Sequence, residues 1–110
     1  MSKYPVVLTG HAMYAAALAA LNPRDPVKIV HETGNPYDAD ALAVYGGAKG
    51  EGGKIGYVPK DSWLRRAIID EHKPVTAELI EVSRSDRGYN VAIIAAVIGG
   101  EAAPVRAFVR

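Results

Sequence analysis

Near the middle of the chain, residues 34–38 read Gly-Asn-Pro-Tyr-Asp, a dense run of turn-forming residues. Glycine, asparagine, proline and aspartate each favour a sharp bend, for different steric or hydrogen-bonding reasons. On one side lies the segment 26–33, in which Val27 and Ile29 alternate with Lys28 and other residues, and on the other lies the apolar segment 41–45. Both segments are typical of β-strands. The run therefore predicts a tight, specific turn between two strands.

Further short strands are predicted along the rest of the chain. They cover residues 4–9, 54–58, 74–83 and 89–98, and the tail could add an edge strand within 103–109. Helical spacing of apolar residues predicts a helix over 11–21 and another from Asp61 or Ser62 to about His72. In the second helix, Trp63 belongs to the apolar stripe, so we expect it to face the core.

The pattern of elements is mainly β with two short helices and tight connections. It predicts a small, closed or nearly closed β-barrel of about six strands. A two-layer α+β sheet is the alternative, and the sequence separates the two poorly. The length of 110 residues fits one domain over 1–110, with 99–110 as a tail or edge strand.

Composition limits the possible functions. The chain has no cysteine, which excludes disulfides, thiolate nucleophiles and Cys-ligated metal sites. Its formal net charge is only +1, whereas a protein that coats duplex DNA is usually far more basic. The apolar stretch 12–21 is too short for a membrane span, and the first residues do not resemble a secretion signal. We therefore expect a cytoplasmic protein without membrane contact, in which any nucleic-acid site is local.

Neither a catalytic nor a metal-binding arrangement is evident. The three histidines are scattered, and the acidic residues near the central turn lack the periodicity of a calcium loop. No serine lies in a nucleophile-elbow context. These observations predict a protein that is not an enzyme and that has no cofactor and no metal.

Three segments together resemble the signatures of HIRAN domains. Residues 31–44, His-Glu-Thr-Gly-Asn-Pro-Tyr-Asp-Ala-Asp-Ala-Leu-Ala-Val, resemble the family's NPYD segment. Residues 54–60, Lys-Ile-Gly-Tyr-Val-Pro-Lys, resemble its second signature, and the Leu-Thr-Gly of 8–10 resembles its opening strand. The resemblance covers about residues 5–95. It implies an OB-like barrel, which in this family is either attached to DNA translocases or found alone. In the best understood members, the domain captures the 3′-terminal nucleotides of single-stranded DNA.

The resemblance also implies a set of site residues: Asn35, Tyr37, Asp38, Tyr57 and Lys60. Tyr37 would stack on a base near the 3′ end, and Asp38 would accept a hydrogen bond from the terminal hydroxyl. Tyr57 and Lys60 would lie along the same groove, with Lys60 holding a phosphate. Elementary chemistry agrees, because stacking on an aromatic ring contributes about 1–3 kcal/mol for any base. A carboxylate can read a free hydroxyl and repels a phosphate in its place.

Other interpretations of the same residues remain open. Asn35 and Asp38 could simply build the turn, and Tyr37 and Tyr57 could be packed barrel residues. Arg65 and Arg66 of the second helix, with Lys54 and Lys60, could form a basic rim, or the helix could simply have an ordinary solvated face.

A different function is also possible. Where the DNA-end-capturing members carry an aromatic pair in the opening strand, this chain has the aliphatic run 6–8, Val-Val-Leu. That difference and the low net charge favour a rival function, a protein–protein interaction domain on the same barrel. We expect a monomer, nucleoid-associated if it binds DNA, with a helicase or nuclease as a possible protein partner.

Overall fold

The computed structural model describes residues 3–47, 50–84 and 86–99, together with the backbone of a short strand at 107–108. Its strands are β1 (Lys3–Val7), β2 (Pro26–Glu32), β3 (Leu42–Gly46), β4 (Lys54–Tyr57), β5 (Val75–Arg84), β6 (Asn90–Ile98) and β7 (Ala107–Phe108). A 3-10 turn at Ala12–Tyr14 leads into helix α1 (Ala15–Ala19), and helix α2 spans Trp63–Ile69. The first six strands agree with the predicted ones to within about two residues. Most of the predicted tail strand lies outside the described residues.

Six of the strands form one antiparallel sheet in the order β1-β6-β5-β2-β3-β4, and β7 pairs in parallel with β2. The two ends of this sheet meet. Just after β1, Thr9 pairs with Tyr57 of β4, donating its N–H to the Tyr57 carbonyl at 2.8 Å and accepting the Tyr57 N–H at 3.3 Å. The sheet is therefore closed into the small OB-like barrel with two short helices that the sequence predicts, and not a two-layer α+β sheet.

The barrel interior holds the main hydrophobic core. Its most deeply buried side chains come from strands and helices alike and include Leu42, Ile55, Leu64 and Ile94. Both helices pack on this core, since Leu18 of α1 also belongs to it. Within the described part of the chain, no helix has the length and apolar character needed to cross a membrane.

Helix α2 begins where the sequence predicts but ends earlier, at Ile69. Ser62 caps it, accepting the Leu64 N–H at 3.2 Å. The helix buries Leu64, Ala67 and Ile68, which share one face. Trp63 lies at the edge of that face and is 43% exposed, so the prediction that it is a core residue is wrong.

Candidate nucleic-acid interface

The turn that joins β2 to β3 is held together by its own polar side chains. Asn35 Oδ1 accepts the backbone N–H of Tyr37 at 2.9 Å and that of Asp38 at 3.1 Å. Asp38 Oδ1 in turn accepts the N–H of Asp40 at 3.1 Å. Such side-chain caps replace the hydrogen bonds that a strand or helix would provide, and so they define the path of the backbone.

Tyr37 lies on this turn and projects into solvent, with 92% of its surface exposed. The interpretation of Tyr37 as a packed core residue is therefore wrong. Its backbone is fixed by Asn35, whereas its ring is not required to cover the core. An aromatic ring presented in this way is available to stack on a flat ligand.

The carboxylate of Asp38 connects the turn to helix α2. Arg65 donates a hydrogen bond from Nη2 to Asp38 Oδ1 at 2.5 Å, and both side chains are largely shielded from solvent. This hydrogen bond is the main reason why the pKa of Asp38 is lowered, with smaller contributions from the Asp40 N–H and the charge of Lys60. Asp38 is therefore ionised at neutral pH, and its carboxylate has a defined orientation.

A surface groove of about 480 Å³ runs beside α2. Its lining residues come from the turn and from the start and face of the helix: Asp40, Lys60, Asp61, Ser62, Trp63, Arg65, Arg66, Ile69 and Asp70. Three of these side chains are cationic and three are carboxylates, so the lining has no net formal charge. Lys54, expected in the basic rim, does not line the groove and pairs with Glu32 instead. The groove can therefore offer individual cations to a ligand but no broad positive field.

Behind the turn lies a buried polar network centred on Glu32, which is 5% exposed. Glu32 Oε1 accepts the Tyr57 hydroxyl at 2.7 Å and the Asn35 amide at 3.2 Å, and Oε2 pairs with Lys54 Nζ at 3.0 Å. Lys54 also donates to the Tyr57 hydroxyl at 2.6 Å. Asn35 thus belongs to both the turn and the network, and the network supports the turn from behind.

Charges and hydrogen bonds in this network offset the cost of burial. Burial by itself raises the pKa of Glu32, but the hydrogen bonds from Tyr57, Lys54 and Asn35 outweigh it and lower the pKa overall. For Lys54, burial lowers the pKa, and the bonds to Tyr57 and Glu32 more than reverse this. Glu32 and Lys54 therefore form a charged pair at neutral pH, as a buried carboxylate requires.

The five residues expected at the site fall into two groups. Lys60 lines the groove, Asp38 is bonded to the groove residue Arg65, and Tyr37 is exposed on the turn. In contrast, Asn35 caps the turn from inside, and Tyr57 packs against a small second cluster with its hydroxyl in the network. The structure does not bring Tyr57 to the lining of this groove.

Sequence analysis missed Glu32 and Arg65 as parts of this arrangement. Strict alternation along β2 would place Glu32 on a polar outer face with Lys28, but Val30 and Glu32 are both buried. For Arg65, the sequence indicates only a place in a basic rim or on a solvated helix face, and not a bond to the turn. Among the described residues, no group of histidine, aspartate and glutamate side chains could hold a metal ion.

The comparisons with a family model and with solved structures agree with each other. Residues 3–94 match the model of the family described as the HIRAN domain. The fold is similar to the HIRAN domain of human HLTF, with a TM-score of 0.61 and 16% identity over 91% of this chain and 78% of that one. It is also similar to a protein from Lactobacillus plantarum, with a TM-score of 0.57 and 18% identity over 86% of this chain and 93% of that one. No curated protein matches the sequence.

Proposed function

Since the chain belongs to the HIRAN domain family, whose members are known as DNA-binding modules, we propose that it binds single-stranded DNA with a free 3′ end held at the β2–β3 turn. The observation that supports this most is Tyr37, a fully presented ring on a turn whose backbone is fixed by Asn35. The terminal base stacks on this ring. Because stacking does not depend on base identity, binding tolerates any sequence.

Asp38 distinguishes a 3′-hydroxyl from a 3′-phosphate at the end of the strand. In the described part of the chain, both hydrogen bonds that the carboxylate of Asp38 accepts end on Oδ1, from Arg65 and from the Asp40 N–H. Oδ2 can therefore accept a hydrogen bond from a ligand, and a terminal 3′-hydroxyl donates one. A 3′-phosphate would instead place negative charge against an ionised carboxylate, which is unfavourable.

The cations of the groove contact the phosphates next to the end. Lys60 is exposed and lines the groove, where its ammonium group can hold a phosphate. Arg65 has donors beyond the one used for Asp38, since a guanidinium carries five N–H groups. The roles of Asn35, Glu32 and Tyr57 are structural, because their hydrogen bonds hold the turn in its shape.

The site binds but does not catalyse in this proposal. The carboxylate of Asp38 is paired with Arg65, which orients it as a hydrogen-bond acceptor. We propose that the domain acts without a cofactor, as a monomer, and that chemistry on the DNA belongs to a partner such as a helicase or nuclease.

A second function, protein–protein interaction, is favoured by one observation. Val7, in the opening strand, exposes 54% of its surface as an aliphatic side chain, and the groove has no net charge. An apolar protein interface on this strand would be insensitive to salt, whereas phosphate contacts weaken as salt is added.

The test of the proposed function is fluorescence anisotropy with a labelled single-stranded oligonucleotide at low salt. Tyr37→Ala should weaken binding about 5- to 150-fold, which corresponds to about 1–3 kcal/mol for one stacked base. It should leave the melting temperature unchanged, because the ring is exposed. Met13→Ala is the matched control, since Met13 is also a large exposed side chain, at 73%, and does not line the groove.

Each outcome has a clear meaning. Weakening by Tyr37→Ala but not by Met13→Ala supports the turn as the DNA site. Equal binding by both variants and the wild type would remove Tyr37 from the site. Wild-type protein that binds no single strand at low salt would overturn the DNA function and favour a protein partner.

A further inference from the structure

One feature of the groove is not explained by folding. Trp63, the first residue of α2, and Tyr4 of β1 meet edge to face, with ring centroids 5.0 Å apart and planes at 68°. Each side chain is 43% exposed. Aromatic side chains of this size contribute most to stability when they are buried, so two half-exposed rings in contact are more typical of a binding surface.

Trp63 lies on the groove that the DNA-binding proposal uses. It lines this groove together with Lys60 and Arg65, and Arg65 is bonded to Asp38 of the turn. The contact with Tyr4 restricts the orientation of the indole, so ordering it on a ligand costs little entropy. The groove therefore has an exposed ring on α2 and a cation, Arg65, that is bonded to the β2–β3 turn on which the exposed ring of Tyr37 lies.

We propose that Trp63, oriented by Tyr4, is a second stacking position for a nucleobase of the same DNA strand. This inference rests on the proposed function and extends it from the terminal nucleotide to a nucleotide further along the strand. Two properties of the groove point to a nucleobase as the occupant. The flat indole suits an uncharged aromatic ring, and Lys60 and Arg66 beside it suit the phosphates that flank such a base.

The chain offers a direct measurement, because Trp63 is its single tryptophan. Stacking of a base on the indole quenches its fluorescence. Titration of the whole chain with unlabelled oligothymidylates of increasing length should quench emission once the strand is long enough to reach from Tyr37 to Trp63. The quenching should saturate at the same concentration as binding measured by anisotropy.

Variants supply the energetic test. Trp63→Ala should weaken binding of the longer oligonucleotides by about 5- to 150-fold, the range expected for one stacked base, and should not affect the shortest ones. Trp63→Phe keeps a ring against Tyr4 and should weaken binding less. Val82→Ala removes an exposed apolar side chain of β5 that does not line the groove and should bind all lengths as the wild type does.

The outcomes separate this inference from the function on which it rests. If DNA binds, Tyr37→Ala weakens binding, and Trp63 emission and Trp63→Ala affinity stay unchanged at every length, then the second stacking position is wrong and the end site stands. If no oligonucleotide binds the wild type, both proposals fail. The fluorescence measurement uses unmodified protein, so it decides the question even if Trp63→Ala is poorly folded.

Discussion

At Glu32, three donors converge on one buried carboxylate: the Tyr57 hydroxyl, the Asn35 amide and the Lys54 ammonium group. Without them, a charge this well buried would be strongly destabilising. Asn35 also holds the backbone N–H groups of Tyr37 and Asp38. A single side chain therefore connects the buried network to the turn that presents the candidate ligand groups.

Glu32→Gln should lower the free energy of unfolding at neutral pH by about 1.5–3 kcal/mol, the range for a hydrogen bond to a charged group. The pKa of Glu32 in the folded protein is below its ordinary value of 4.5. Its stabilising contribution is therefore complete above that value and is lost as the pH falls through the folded pKa. Denaturant unfolding at neutral pH and at low pH should show the difference between wild type and variant shrinking on acidification.

A surface carboxylate provides the control for this experiment. Glu78 pairs with Lys3 at 2.8 Å, but both side chains are solvent-accessible. Exposed ion pairs contribute little to stability, so Glu78→Gln should leave the neutral-pH free energy of unfolding nearly unchanged. If Glu32→Gln behaves like Glu78→Gln, the buried network does not support the turn in the way described.

At the scale of elements, local sequence predicted what depends on local chemistry. The strands, the Asn-containing turn between β2 and β3, and the Ser62 cap follow from residue preferences that act over a few positions. The irregular pairing of β3 with β4 does not follow from such local preferences. The register of β3 with β4 pairs Val44 with Gly56 and Tyr45 with Lys54, and so passes over Ile55.

The extra residue at Ile55 forms a β-bulge, and this bulge explains why the sequence does not predict the Glu32 network. In a regular strand, residues 54 and 57 point to opposite faces, because side chains alternate. The extra residue shifts the alternation, so Lys54 and Tyr57 can meet Glu32 together. The exposure of Trp63 was missed for a related reason, since only the packing of α2 on the barrel decides which edge of the helix is covered.

The closure of the barrel depends on Gly56. A Cβ at this position would lie 2.5 Å from the carbonyl oxygen of Thr9, the residue that joins the two ends of the sheet. Because this neighbour is backbone, it cannot rotate away. Gly56→Ala should therefore lower the free energy of unfolding by about 1–3 kcal/mol, as overpacked substitutions do, and chemical denaturation should measure the loss.

Gly34→Ala is the comparison variant for barrel closure. Gly34 is exposed and does not have a positive φ angle, so an added methyl group needs little adjustment. Its free energy of unfolding should stay close to that of the wild type. Equal stability of Gly56→Ala and Gly34→Ala would show that the Thr9–Tyr57 pairing does not constrain the fold.

At the scale of the whole molecule, charge indicates how DNA would be held. The formal net charge is +1, and the groove balances its three cations with three carboxylates. With at most about three phosphates neutralised, the slope of log Kobs against log salt concentration for a single strand should lie between about −0.7 and −2. Anisotropy titrations at several salt concentrations measure this slope. A much steeper slope would mean that the strand crosses cationic surface outside the groove.

The most direct test of the account uses two oligonucleotides that differ only at the 3′ terminus, which is a free hydroxyl in one and a phosphate in the other. Competition anisotropy measures the affinity of the wild type and of Asp38→Asn for each. The account predicts that the wild type prefers the hydroxyl, and that Asp38→Asn reduces this preference because the carboxylate charge is gone. Equal affinity of the wild type for both termini, or a preference unchanged in Asp38→Asn, would contradict the claim that Asp38 reads the strand end.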